Sequence, residues 1–162
     1  MNSESGFSIL FDCYYFNLAW GLSIYGFFIT SEGNVCRYGM QKDKSLPVFT
    51  LTDGKPDEFI AACHEDFTVI DKIDSHKLRE MASLIEAASR GKIEQYISSI
   101  DAGSTIFLAY ITTEDERKEV ILQQLGDMAA SNQSPEVGVL IKWLNSYWKK
   151  VENMYLTEFH AK

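Results

Sequence analysis

The densest gathering of reactive side chains in this 162-residue chain is Cys63-His64-Glu65-Asp66, a thiol, an imidazole and two carboxylates in consecutive positions. A cysteine beside a histidine can be activated as a thiolate nucleophile. Consecutive residues on a helix point about 100° apart, however, so Cys63 and His64 do not face each other. The spacing of Phe59, Ile60 and Cys63 puts Cys63 in the core and leaves His64 at the surface, and cysteine catalysis is not expected.

Other chemistries fail on spacing. Gly54-Lys55 and Gly91-Lys92 lack both the earlier glycine and the following Ser or Thr of a phosphate-binding loop, so they read as turns or caps. Gly21-Leu22-Ser23-Ile24-Tyr25-Gly26 is one residue too long for a G-x-S-x-G nucleophile elbow and is strand-like throughout. Cys13, Cys36 and Cys63 are odd in number and widely spaced, and His76 and His160 have no metal-type partner in sequence. No catalytic residue, cofactor or metal is expected, nor a small-molecule substrate.

The acidic residues are more informative. Asp57, Glu58, Glu65, Asp66, Asp71 and Asp74 crowd residues 57–74, where Lys72 is the single Lys or Arg, and Glu114-Asp115-Glu116 forms a second run. Some of these carboxylates suit helix N-termini or a solvated face. As a set they suit docking of a basic protein, since complementary charge speeds association and rejects wrong partners. The formal net charge of −8 argues against nucleic acid or an anionic membrane as partner.

These side chains need a scaffold, and the sequence suggests one. Residues 7–15 and 21–30 are aromatic or β-branched and read as strands, with Ser31-Glu32-Gly33-Asn34 turning into Val35-Cys36-Arg37-Tyr38 as a hairpin in which Gly33 supplies a positive φ. Gly21 and Gly26, inside this pattern, point to a bulge or a close backbone approach. Residues 13–31 carry no charge and approach the length of a membrane span, but Asn17, the glycines, the Tyr and Phe content and the absence of flanking Lys or Arg favour strands.

Residues 39–55 read as a connection with a short strand at 48–51. Pro56 opens a helix whose first turn holds Asp57 and Glu58. Asp74 or Ser75 caps a second helix with Leu78, Met81, Ala82, Ile85 and Ala88 on one face, closing at Arg90-Gly91. Residues 92–100 are expected to add a short helix, and Asp101-Ala102-Gly103 interrupts the chain. Residues 105–112 and 119–125 are expected to pair as a hairpin ending at Gly126-Asp127, with a helix from Thr113 as the alternative.

The final helix has Ser134 as N-cap, Pro135 and Glu136 in its first turn, and a broad apolar face of Val137, Leu140, Ile141, Trp143, Leu144, Tyr147, Trp148, Val151, Met154 and Tyr155. Such a helix must lie on a sheet or another helix. The chain therefore reads as a single α+β domain over residues 1–162, an antiparallel sheet with helices packed against it. Its composition, 46% hydrophobic and 23% charged, suits a globular protein, and the unpaired thiols suit a reducing cytoplasm.

Two stretches resemble small acidic bacterial immunity proteins of polymorphic-toxin and contact-dependent growth inhibition systems. The first runs from Trp20-Gly21 through Gly26-Phe27-Phe28-Ile29 to Gly33-Asn34-Val35-Cys36-Arg37-Tyr38. The second comprises Asp101-Ala102-Gly103, Val120-Ile121-Leu122, Gly126-Asp127, Asn132, Ser134-Pro135 and Trp143-Leu144. The resemblance implies a cytoplasmic inhibitor, not an enzyme, that binds a cognate toxin domain; it carries over no contact residues, and the charge grouping places the contact on the six acidic residues of 57–74, with Glu114, Asp115 and Glu116 as second choice. Many such toxins are nucleases with basic clefts, which an acidic inhibitor can occupy. The alternative is an intracellular adaptor domain using Trp143, Tyr147 and Met154 at the margin of the last helix.

Overall fold

A computed structural model describes residues 7–17, 23–40, 56–99 and 102–160, with the side chains of residues 40, 56–59 and 159–160 left out. The expected strand at residues 48–51, together with Trp20, Gly21 and Asp101, lies outside the described residues.

Among the described residues eight strands form one antiparallel sheet: β1 (Ile9–Asn17), β2 (Ser23–Thr30), β3 (Asn34–Met40), β4 (Phe67–Lys72), β5 (Ile93–Ile97), β6 (Ser104–Thr112), β7 (Arg117–Gly126) and β8 (Met128–Asn132). Their order across the sheet is β4-β3-β2-β1-β6-β7-β8-β5. Between them run the helices α1 (Pro56–Cys63), α2 (Ser75–Ala82) and α3 (Ile85–Ala88), and α4 (Pro135–His160) closes the fold. The chain is thus α+β, as its patterning implied, and no described helix is long and apolar enough to cross a membrane.

The described parts of the uncharged stretch, residues 13–17 and 23–30, form strands because both faces of the sheet are covered there. Phe11, Cys13, Phe27, Ile29, Phe107 and Leu122 pack under Leu78, Met81, Ile85, Leu140, Leu144 and Val151 of α2, α3 and α4. Alternate residues Tyr14, Ile24, Phe28, Cys36, Tyr38 and Leu108 face the other way and meet Ile60 and Cys63 of α1. Central strands buried on two sides lose the polar alternation of a half-exposed sheet.

Gly26 is the close approach its position suggested: a Cβ there would sit 2.2 Å from the carbonyl oxygen of Cys13. Gly33, at φ 87°, turns β2 into β3. On α4, Trp143 meets Phe11 edge-on at 5.3 Å between ring centroids and Tyr147 lies 6.0 Å from Phe27, so the margin nominated as an adaptor surface is half-buried against the core.

Several expectations need correction. Residues 92–100 contribute β5 in place of a helix, because a stretch too short to nucleate a helix gains a full ladder by pairing with β8. Strands β4 and β8 were not anticipated. The helix expected through residue 90 breaks at Ser83-Leu84, where the Ser83 hydroxyl donates to the Glu80 carbonyl at 2.7 Å and competes with the helical ladder. Residues 117–126 extend the expected hairpin with β6, which excludes the helix from Thr113.

Candidate functional site

Two places bring functional groups together: the acidic ends of the sheet, and a buried polar cluster beneath α1.

Strand β4 lies at one edge of the sheet, and the first acidic group is strung along it. Asp57 and Glu58 stand on α1, their side chains outside the described set. Glu65 and Asp66 are exposed just before β4, whereas Asp71 and Asp74 are exposed at its far end. The six residues therefore do not converge on one patch. Asp71 lies 3.5 Å from the Lys150 ammonium, which partly neutralises it. Asp74 is the N-cap of α2, its Oδ1 accepting from the backbone N–H groups of His76 at 2.9 Å and Lys77 at 3.2 Å.

Glu114, Asp115 and Glu116 form the exposed β6–β7 turn, which the antiparallel register places at the Lys72 end of the sheet, opposite to Glu65 and Asp66. Five carboxylates, those of Glu65, Asp66, Glu114, Asp115 and Glu116, are exposed without an ion pair to any described residue.

The second place is unexpected. Asp12 stands in the middle of β1 with no accessible surface. Its Oδ1 accepts from the Tyr38 hydroxyl at 2.7 Å. Its Oδ2 lies 2.8 Å from Nε2 of His64, a contact at ion-pair distance but off the line of a hydrogen bond. His64 sits just past the end of α1, enclosed edge-on by the rings of Phe28 and Tyr38 at 5.0 and 5.1 Å. It is therefore not the surface histidine its sequence position suggested: the chain leaving α1 turns it down onto the sheet. The hint in sequence was a single acid inside the apolar run Ile-Leu-Phe-Asp-Cys-Tyr-Tyr, since a buried carboxylate requires a partner.

The surroundings set the chemistry of this cluster. Burial, and secondarily the Asp12 charge, push the Cys63 thiol up to about 11 and hold the Tyr38 phenol well above its usual range. A thiol so protonated is the opposite of an activated nucleophile. A cavity of about 250 Å³ opens beside His64, bounded by Tyr14, Ile60, Tyr110, Arg117 and Glu119, with the Arg117 guanidinium stacked 3.7 Å above the Tyr110 ring. Among the described residues no group of three His, Cys, Asp or Glu side chains converges as a metal site would require.

No protein-family model, curated protein or solved structure matches this chain.

Proposed function

We propose that this chain is an immunity protein that binds and neutralises a cognate toxin domain in the cytoplasm of the cell producing both, acting by occupation and not by catalysis, with neither cofactor nor metal. The observation that carries the reading is the set of five exposed carboxylates at Glu65, Asp66 and residues 114–116 that make no ion pair to any described residue, on a chain of formal charge −8. These charges stand on exposed turns at the ends of the strands, where a basic cleft built for phosphate can reach them. A nuclease is the toxin class that fits this charge best. Because the two groups stand at opposite ends of the sheet, one of them makes the contact and the other contributes through its long-range field.

The test is titration calorimetry and stopped-flow association of the full chain with the toxin domain encoded immediately upstream of it. The expected result is binding near or below ~10 nM, with association slowing steeply as salt rises. Absence of heat and of a complex at low salt would overturn the pairing. The reading would then pass to the adaptor alternative, with partners sought in a native lysate.

A further inference from the structure

Among the described residues strand β5 ends the sheet at the edge opposite β4, and all five of its residues are exposed. Its exposure is apolar: Ile97 is 79% accessible, Tyr96 59% and Ile93 36%, and Met128, directly across the ladder from Ile97, is 51%. Natural edge strands are commonly blunted by proline, lysine, a bulge or a covering segment. The β4 edge has a register shift in its pairing with β3 and carries Asp71 and Lys72. Strand β5, Ile-Glu-Gln-Tyr-Ile, carries one charge, Glu94, but no proline, lysine or bulge; no described segment covers it, and its ladder with β8 runs without interruption.

The direction of its free hydrogen-bonding groups follows from the ladder. The Lys92 carbonyl accepts from the Gln133 N–H at 2.9 Å, and the Ser98 N–H donates to the Asp127 carbonyl at 3.1 Å. Antiparallel pairing alternates, so Lys92, Glu94, Tyr96 and Ser98 bond towards β8, and Ile93, Gln95 and Ile97 turn their N–H and C=O groups outward.

We propose that two copies of this chain pair through β5, antiparallel, about a two-fold axis at Gln95. In that register each outward-bonding residue faces another: Gln95 meets Gln95 of the second copy, and Ile93 meets Ile97 in both directions. Each facing pair exchanges two main-chain hydrogen bonds, about six in all. The isoleucines fall on the same sheet face as Met128, which places apolar on apolar. Glu94 falls opposite Tyr96, so no like charges are directly opposed, and its carboxylate already lies 3.5 Å from Lys92 of its own chain. The occupant is a second copy because the strand is complementary to itself in hydrogen bonding, apolarity and charge in this single register. The interface is isologous and closes at two, whereas pairing β5 to a β4 edge would build an open filament.

The test is sedimentation equilibrium of the full chain from about 1 μM to about 1 mM, a range set by the weak association of a small interface. The expected mass rises from 18.4 kDa towards twice that value and no further. Ile97→Lys should weaken dimerisation at least about tenfold, because both copies lose a buried isoleucine pair. Adding Ile93→Glu should restore it, since the introduced ammonium of one copy then faces the introduced carboxylate of the other across the axis. Within one chain these positions are too far apart to pair. A chain that stays monomeric up to the highest concentration overturns the proposal, as does a dimer indifferent to Ile97→Lys or a double variant that fails to recover. Thermal melts matching wild type establish that each variant is folded.

Discussion

Oδ2 of Asp12, on a central strand, lies 2.8 Å from Nε2 of His64, at the end of the helix that covers that strand, so one polar contact ties α1 to the sheet. Around it the described side chains of that face pack as an apolar cluster that includes Ile60 and Cys63 of α1. The pair therefore specifies where the chain leaving α1 must lie before it enters β4.

Removing one partner of such a pair should be costly. His64→Ala is expected to destabilise the fold by about 3 kcal/mol in urea unfolding, because Asp12 is left buried with Tyr38 alone. Tyr38→Phe should cost about 1.5 kcal/mol, the value of one hydrogen bond to a charged group. Replacing Asp12 and His64 by Leu together with Tyr38→Phe, which removes all three polar partners, should come within about 1 kcal/mol of wild type, as apolar packing substitutes for the cluster. A His64→Ala loss below about 1 kcal/mol would show that Tyr38 suffices to hold Asp12.

Burial pushes the thiols of Cys36 and Cys63 from 9.0 up to about 11, and that of Cys13 well above its usual value. The folded state thus holds these protons more tightly than the unfolded chain. The contribution of Cys36 and Cys63 to stability is complete below pH 9 and is lost as pH rises from 9 through 11. The urea midpoint should fall across that window, and a variant with Cys36 and Cys63 both replaced by Ala should show a shallower fall. At pH 8 the native protein should leave all three thiols unreacted towards a disulfide reagent, and unfolded protein should release them together.

Asp74 and the Glu65-Asp66 pair should separate stability from binding. Asp74→Ala removes an N-cap and should cost about 1 kcal/mol while leaving association with the toxin domain unchanged. Glu65→Lys with Asp66→Lys should leave the melting temperature within about 2 °C and slow association at low salt about tenfold or more. If the pair has no effect and reversal of Glu114 and Glu116 does, the contact lies at the β6–β7 turn.

Asn132, 7% exposed, joins three elements. Its amide nitrogen donates to the carbonyls of Ala88 on α3 and Ile121 on β7, both at 2.9 Å, and its Oδ1 accepts from the Ser134 N–H ahead of α4 at 3.0 Å. Asn132→Ala should cost about 3 kcal/mol through unsatisfied buried groups, and Asn132→Asp should be no better, since a carboxylate cannot donate to the two carbonyls. Equilibrium unfolding of the two variants checks this. An Asp variant close to wild type would assign the role to the Ser134 bond alone.

Much of this architecture was legible in the chain itself. The strands around Gly33, the Pro56 helix, the Asp74 cap, the β6–β7 pairing and the long last helix rest on local signals: turn glycines, caps, and apolar residues recurring at the helical period. The short strands β4, β5 and β8 were missed because five or six residues carry little periodic signal, and their conformation comes from a ladder partner distant in sequence.

For the candidate site the division is similar. Charge and its grouping are sequence properties, so the acidic character of the chain and the residues that carry it could be read directly. Which of those acids remain available could not. Asp74 is used by a cap formed within its own segment, Asp71 lies beside Lys150 on a helix some eighty residues away, and Glu65 and Glu114 stand at opposite ends of a sheet whose order no local signal encodes. The Asp12–His64 contact and the bare β5 edge belong to the same class. Local propensity and periodicity specify which segments form and which faces they bury, while strand order, edges and long-range polar pairs emerge only when those faces are packed together, because each depends on residues that the sequence keeps far apart.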